Sequence, residues 1–545
     1  MGIFKLLLEK RLGPLFWTQF FGAFNDNLFK NALIILIAYS ASGANAIVLV
    51  NIAAGLFILP FFIFSAFAGQ LTDKLEKSWI IRQTKVLEII IMLLAALGFY
   101  LENNEYLIFV LFLMGAQSAF FGPAKYSILP QHLKPEELMS GNALVEMGTF
   151  LAILLGTVAG GVLISIPQRG PFWVSLGLVA VAVLGWLASL NVPEAKAPNP
   201  SLQIKYNPMV ETFKNMRDLA DNRFVFIAIM AISWFWFFGY FYLAQFPSYT
   251  KEILGGDEHI VTLLLTIFSI GIGLGSWLCE RLSNKLIELG LVPIGALGLT
   301  IFSIDIYLAR PVAADNLAAL ISISEFLSVG ANYRLILDLI LVGLFGGFFI
   351  VPLYAAIQER GDRTRLSRQV ASNNIYNALF MVGAAICAMI LAKFSITIPQ
   401  MFVIMAVTNL VALFLLVLSL PEFALRTQLW FLYRWPKENK ENKENQRKYV
   451  LKEELLNVVI LPSSSQDRNA WGNTVYHLRQ RAVLWVPQLP LLYRLFGRSG
   501  RDYILYEEEI SRALSDPHTV LVIDQMLWDK HSPAILKFSP SLNIL

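Results

Sequence analysis

The sequence predicts an all-α membrane protein, with twelve transmembrane helices in two six-helix bundles and a small cytoplasmic C-terminal segment. Three observations carry that expectation. Of 545 residues, 56% are hydrophobic and 15% charged, and the mean hydropathy is +0.59, more apolar than a soluble globular chain sustains. Twelve segments each supply the roughly 20 apolar residues that a helix needs to cross a bilayer. The loops between them alternate between rich and poor in Lys and Arg.

In chain order the segments are 14–40, 47–71, 79–101, 106–122, 141–166, 172–190, 224–249, 260–282, 291–309, 335–356, 370–393 and 399–420. Lys5, Lys10 and Arg11 precede the first, but that apolar stretch outruns a signal peptide and lacks a cleavage-like end, so it reads as a retained helix. Lys74, Lys77 and Arg82, then Lys125 and Lys134, then Lys196, Lys205, Lys214, Arg217 and Arg223 fall on one side. Arg281 and Lys285, and then Arg360, Arg363, Arg365 and Arg368, fall on that side too. The intervening loop 41–46 has no charge, and Glu102 with Glu105 makes the next one acidic. The positive-inside rule then puts both termini in the cytoplasm. The inside loop 191–223, opening with Pro193, Pro198 and Pro200, divides the spans six and six and reads as a linker between bundles 1–190 and 224–421.

The net charge of +4 is small and concerns orientation, not nucleic acid. Cys279 and Cys387, the only cysteines, lie in separate apolar segments, which excludes a disulfide framework or a zinc site. No cofactor is expected.

Polar residues inside apolar segments are the functional clues. An ionisable side chain there costs upward of about 2.5 kcal/mol and marks a pathway, partner or ligand. The first span reads Phe20-Phe21-Gly22-Ala23-Phe24-Asn25-Asp26-Asn27-Leu28-Phe29-Lys30-Asn31. Helical spacing lets Asp26 face Lys30, and Asn27 face Asn31. Asp26 could then meet a headgroup amine or hydroxyl, or take a proton; the alternative is a self-satisfied patch bonded across helices. Lys125, at the inner end of span four, could hold a lipid phosphate or serve as an ordinary basic anchor. Glu146, in a span rich in Gly148, Gly156, Gly160 and Gly161, is expected to pair with Lys125 or Arg82. Asn373, Asn374 and Asn377 form the dense amide cluster of the second half, suited to headgroup binding or helix-helix bonds. Span seven is unusually aromatic from Trp234 to Tyr249, with Gln245 as its lone amide; most of those rings must be packing. Asp305 and Asp338 read as isolated acids, and the stretch 310–334 has an amphipathic part that suits a membrane surface.

Between spans two and three stands Gly69-Gln70-Leu71-Thr72-Asp73-Lys74-Leu75-Glu76-Lys77. An acid at a helix end can meet backbone donors and cations of another helix, so Gly69, Asp73, Lys74 and Arg82 are the expected cytoplasmic gate. Gly275-Ser276-Trp277-Leu278-Cys279-Glu280-Arg281 is a weak echo in the second half. This loop resembles the Gly-x-Leu-x-Asp-Arg signature of the major facilitator superfamily, whose fold joins two six-helix halves around a mid-membrane site.

Within that superfamily the chain resembles the lysophospholipid transporter family, including members fused to a glycerolipid acyltransferase. The resemblance rests on Phe21 to Asn27, on Phe121-Gly122-Pro123-Ala124-Lys125-Tyr126-Ser127-Ile128-Leu129-Pro130, on Asn142 to Glu146 with Thr149, and on Ala371-Ser372-Asn373-Asn374-Ile375-Tyr376-Asn377. It implies movement of lysophospholipids (lysophosphatidylethanolamine or lysophosphatidylglycerol type) towards the cytoplasm across a bacterial inner membrane. It also implies a monomer surrounded by membrane lipid, and a separate cytoplasmic acyltransferase as a partner.

Past the spans, residues 422–448 form a charged tether with the low-complexity run Lys437 to Asn445. Residues 449–545 carry apolar runs at 457–461, 482–495 and 519–523 where fused relatives place the acyltransferase. That enzyme uses His-x-x-x-x-Asp, in which His removes the hydroxyl proton and Asp orients it. None of His132, His259, His477, His518 and His531 has an Asp five positions on. The tail therefore reads as a degenerate, inactive acyltransferase remnant or a regulatory segment. Three functions fit to different degrees: a lysophospholipid transporter by alternating access, a proton-coupled exporter of a small amphiphile, drug or siderophore, and a membrane-anchored acyltransferase, which the missing motif disfavours.

Overall fold

In a membrane every backbone N–H and C=O must be bonded within the chain, which favours helices throughout the apolar segments. The computed structural model describes residues 4–40, 44–283, 287–310, 320–420, 422–433, 458–461, 482–486 and 519–524. Among them are twelve long helices: α2 (Gly13–Ser40), α3 (Ala44–Lys74), α4 (Lys77–Tyr100), α5 (Asn104–Ser127), α7 (Pro135–Ile164), α8 (Gly170–Ser189), α10 (Arg223–Glu252), α11 (Glu258–Leu282), α12 (Leu291–Leu308), α14 (Asn332–Arg360), α15 (Leu366–Lys393) and α16 (Ile398–Ser419). Short helices α1 (Lys5–Leu8), α6 (Leu129–His132), α9 (Pro208–Asp218), α13 (Ile323–Ser328) and α17 (Glu422–Tyr433) punctuate them. Ten long helices are apolar and long enough to span a bilayer. The two outside that criterion, α2 and α4, carry Asp26 and Lys30, and Arg82, Lys85 and Glu88.

The pairings repeat between the halves. In the first six long helices α2 packs on α7 and α3 on α5; in the last six the equivalent positions pair as α10 with α15 and α11 with α14. Across the halves α3 meets α15 as α11 meets α7, and α5 meets α15 as α14 meets α7. Such a pattern is what two repeats related by an axis along the helices produce. Small residues make these approaches possible. A Cβ on Gly156 or Gly160 of α7 would run into the Phe24 or Leu28 carbonyl of α2. On α11 and α14, Gly271 and Gly275 face Gly343 and Gly347, so two small-xxx-small stripes bring backbones into contact.

Several helices outrun their apolar segments. The helix α7 begins at Pro135, six residues before the expected 141, and α14 continues to Arg360, past the expected 356. Those added turns hold Glu136 and Glu137, and Glu359 and Arg360, which hydropathy excludes but a helix end at the interface accepts. The linker 191–223 departs further from expectation, because it contains α9 and is bonded along its length. Ala195 N donates to Glu76 Oε1 (2.7 Å), Asn199 N to the Asp73 carbonyl (2.9 Å) and Lys205 N to Gln70 Oε1 (3.0 Å). Partial burial pushes the Glu76 carboxyl up, but its bonds from Ala195, Ser78 and Trp79 outweigh that and hold it below the usual range.

The chain divides into two compact units, Met1–Lys285 with Ile294–Leu416, and Leu286–Pro293 with Val417–Leu545. In the second, the three apolar runs of the tail contain the strands β1 (Val458–Leu461), β2 (Ala482–Val486) and β3 (Thr519–Asp524). They form a parallel sheet in the order β1-β3-β2, with Val458 opposite Leu521 and Ala482 opposite Thr519. Continuous apolar runs suit a parallel sheet, whose strands are covered on both faces. Most of the tether, together with His477, His518 and His531, lies outside the described residues, as do residues 311–319. The described part of the stretch 310–334 includes α13, which Ser322 and Glu325 open with a capping box.

Replacing Gly156 with Leu should force α2 away from α7 and cost about 1–3 kcal/mol. Thermal unfolding of the purified protein in detergent checks this; an unchanged midpoint would contradict the α2–α7 contact.

Candidate functional site

Polar side chains of the first half gather where α2, α4 and α5 meet. Lys85 and Glu88, three residues apart on α4 and each 1% exposed, form an ion pair of 2.6 Å. Glu88 accepts further bonds from Asn25 Nδ2 (3.1 Å) and Gln117 Nε2 (3.3 Å), while Lys85 Nζ also lies 4.9 Å from the Phe121 ring. Gly22 leaves the space for that ammonium, since a Cβ there would strike Lys85 Nζ. A buried ion pair persists when further bonds meet its remaining lone pairs, and Asn25 and Gln117 supply two to Glu88. Beside it the Ser118 hydroxyl donates to Asp26 Oδ2 (2.9 Å) and lies 3.3 Å from Gln117 Oε1. A continuous polar chain therefore runs from half-buried Asp26 to fully buried Lys85.

Asp26 is bonded to Ser118 and lies within electrostatic reach of Lys30, whose Nζ sits 5.5 Å from the Phe57 ring. The amides depart from the sequence expectation. Asn27 and Asn31 do not bond each other: Asn27 donates to the Ala23 carbonyl of its own helix (2.8 Å) and Asn31 to the Thr157 carbonyl of α7 (2.7 Å). Helical spacing gives which residues share a face, but the partner is set by which neighbouring helix offers an acceptor. Lys85, Glu88, Gln117 and Ser118 were missed, although two opposite charges three apart within segment 79–101 were a visible signal.

A second cluster joins both halves at the Lys- and Arg-rich end. Tyr126 on α5 stacks on Tyr354 of α14, with centroids 4.6 Å apart and planes 2° from parallel. The Tyr126 hydroxyl donates to Glu146 Oε1 (2.7 Å), Lys125 Nζ lies 4.4 Å from the Tyr126 ring, and Trp236 Nε1 reaches the Tyr354 hydroxyl at 3.3 Å. Glu146 is therefore hydrogen-bonded to Tyr126 and lies within electrostatic reach of Lys125, as the sequence leads one to expect, whereas Arg82 bonds elsewhere. Among the described residues the Glu146 Oε2 has no hydrogen-bond partner, nor has either amide atom of Asn373 or the Asn374 Nδ2. The Asn374 amide fits against Gly122, whose missing Cβ would come within 2.6 Å of it. Asn377 is used structurally, accepting from Ser233 Oγ (2.8 Å).

Towards the same end the halves are sealed by direct bonds. Asp73, 0% exposed, accepts from Arg368 Nε (2.8 Å) and from Ser367 N (3.2 Å) in the first turn of α15, where helix dipole and cation both favour the carboxylate. Gly69 lets α15 come this close, as its Cβ would lie 2.8 Å from that of Ala371. Ser367 Oγ bonds Ser127 Oγ (3.0 Å), and Asn142 and Gln358 exchange two amide bonds (2.8 and 2.9 Å). On the opposite side Ser140 donates to Glu280 (2.9 Å). Exchanging the halves maps α3 with α15 onto α11 with α7, so both sides of the inner end are bonded across the halves.

Other expected site residues lie apart. Arg82 bonds Ser78 Oγ (2.9 Å) and the Val192 carbonyl (3.3 Å), tying α4 to the chain after α8 rather than crossing between halves. Lys74 is half-buried at the end of α3. Gln245 is half-buried on α10, nine residues beyond Trp236 and so about 13 Å further along the axis. Asp305 is not isolated, since it forms an ion pair with Arg334. Of the aromatics on α10, Phe238, Phe241, Tyr242 and Phe246 are buried packing, whereas Trp236 also stacks on Phe150 of α7 across the halves.

Comparison with known proteins accords with this architecture. The chain is 26% identical over 363 residues to the lysophospholipid transporter LplT of Serratia proteamaculans (strain 568), covering 66% of this chain and 82% of the relative. It is 27% identical over 389 residues to LplT of Yersinia pestis (strain Pestoides F), covering 70% and 87%. Among solved structures, the transporter FucP in the outward conformation superposes with a TM-score of 0.58 at 13% identity, over 75% of this chain and 99% of FucP. The human organic anion transporter MFSD10 gives 0.57 at 12%, over 75% and 99%. The model of the Major Facilitator Superfamily matches residues 15–339, and with that match the chain belongs to the major facilitator superfamily.

Proposed function

We propose that this chain moves lysophospholipids across a bacterial inner membrane by alternating access, with both termini in the cytoplasm. The carrying observation is that Asp26, Lys30 and Lys125 are only half-buried although they sit within membrane helices, beside a layer of bonds that shuts the cleft at the Lys- and Arg-rich end. An ionisable side chain kept within a membrane helix marks a substrate pathway. The names of the LplT relatives support the choice of lysophospholipid.

In this reading bundles 1–190 and 224–421 rock about the cleft, and 191–223 connects them. Lys125 faces the lipid phosphate as a compact cation. Asp26 meets the ethanolamine amine or the glycerol hydroxyls of the headgroup, with Asn25, Asn27, Lys30, Asn31, Glu146, Asn373, Asn374 and Asn377 as its polar surroundings. Opening the inner end requires the Asp73–Arg368 pair and the Asn142–Gln358 amide exchange to break. The charged tether 422–448 leads to the tail 449–545, a degenerate acyltransferase-like or regulatory segment, and a separate acyltransferase takes up the delivered lipid. The protein works as a monomer.

Purified protein in vesicles should move labelled lysophosphatidylethanolamine across the bilayer; no protein-dependent movement would overturn the assignment. Asp26→Asn keeps an acceptor for Ser118 and removes the charge, so transport should fall about tenfold or more, the equivalent of one charge-assisted hydrogen bond. Unchanged transport would return Asp26 to a packing role. Asp73→Asn should loosen the inner end, raising alkylation of a cysteine placed at buried Ser127 roughly tenfold. Equal labelling would remove Asp73 from the gate.

A further inference from the structure

The helix α9 has an outer face that nothing in the mechanism uses. Met209, Val210 and Phe213, at helical spacing on one side, are 43%, 57% and 60% exposed, and Tyr206 just before them is 81% exposed. Lys205, Lys214 and Arg217 flank this face, all exposed and without an ion pair among the described residues. The inner face is its opposite, with Thr212 and Glu211 buried. Asn207 caps the helix, its side chain accepting from Val210 N (3.2 Å).

The inner face is bonded to both halves at once. Thr212 Oγ1 donates to the Phe62 carbonyl of α3 (3.2 Å). On the other side Asn215 Nδ2 donates to the Arg368 carbonyl of α15 (3.0 Å), and Ser372 Oγ returns a bond to the Asn215 carbonyl (3.4 Å). The elements that α9 bridges, α3 and α15, are the ones joined by Asp73 and Arg368. Separation of those two helices must break one set of α9 contacts or the other.

We propose that α9 is an interfacial strap: its Met209, Val210 and Phe213 face lies in the acyl boundary of the bilayer, Lys205, Lys214 and Arg217 engage anionic headgroups, and this seating holds α3 and α15 together. Two observations choose the bilayer as occupant. The face is apolar at its centre with cations at its edges, the pattern of helices that lie in the interface plane. It also sits on α3 at Phe62, twelve residues before that helix ends at Lys74, so the strap is already below the end of a membrane span. Seated α9 favours the closed inner end, and a surface poor in anionic lipid weakens it. The proposal concerns how the end is held shut, and it stands apart from what is transported.

The test uses the full chain with Cys279 and Cys387 replaced and one spin-labelled cysteine at Val210 or Phe213, in phosphatidylethanolamine vesicles with and without phosphatidylglycerol. Labels at both positions should collide with oxygen more than with a water-soluble nickel chelate, and more so with phosphatidylglycerol present. Labels fully accessible to the chelate would overturn the seating, and so would spin-spin broadening that places a second copy of the chain on the face. Neutralising Lys214 and Arg217 should reduce the phosphatidylglycerol effect by about fivefold per cation. The link to the gate is read separately, from a label at Ser367: Thr212→Val with Asn215→Ala should raise its solvent accessibility while α9 stays in the interface. If accessibility at Ser367 does not change, the strap is not coupled to the gate. Should the double variant not fold, the labels at Val210 and Phe213 in the otherwise unaltered chain still decide the seating.

Discussion

The contact between the Asp73 carboxylate and the first turn of α15 is the constraint on which the closed end depends. Asp73 has no exposed surface, so its charge must be met inside the protein, and Arg368 with the Ser367 amide meets it. That requirement fixes how near α3 and α15 lie, and Gly69 is what lets them lie so near. Once they are in place, Ser127 reaches Ser367 and Asn215 of α9 reaches the Arg368 carbonyl. On the side where α7 meets α11, Ser140 donates to Glu280. The two sides differ in kind, because Asp73 meets a cation and a backbone amide whereas Glu280 meets one hydroxyl.

Charge inside the first bundle falls into two kinds. Lys85 and Glu88 are fully buried and paired with each other, and Glu88 is bonded to Asn25 of α2 and Gln117 of α5, so they hold α2, α4 and α5 in one arrangement. Asp26, Lys30 and Lys125 keep some exposed surface, and Asp26 accepts a bond from Ser118. Both kinds look alike as letters in an apolar segment. What separates them is whether neighbouring helices supply acceptors and donors, and the Ser118 hydroxyl, lying between Asp26 and Gln117, makes the two sets contiguous.

The spans were legible because twenty-odd apolar residues leave few alternatives to a membrane helix, and their centres coincide with the twelve long helices. Their ends were not, since Glu136, Glu137 and Arg360 continue a helix at no hydropathic gain. The type of partner for Asp73 could be read from its place at a helix end, but its identity as Arg368 could not, because 295 positions separate the two. The Lys85 network was lost for the same reason, as Asn25 and Gln117 come from other helices. The helix α9 was hidden by the prolines that open its segment, and its apolar residues are too few to stand out. In the tail, the apolar runs were visible, but their parallel order β1-β3-β2 was not, since pairing across such a sheet leaves no mark on a single strand.

The central claim is that lipid passes only when the Lys- and Arg-rich end can open. Ser127 and Ser367, whose hydroxyl oxygens lie 3.0 Å apart, offer a direct test, because cysteines there can approach the ~2 Å of a disulfide with little movement. With Cys279 and Cys387 replaced, the oxidised Ser127→Cys, Ser367→Cys protein should stop moving labelled lysophosphatidylethanolamine, and reduction should restore the movement. Transport at the reduced rate while the disulfide is intact would contradict the account.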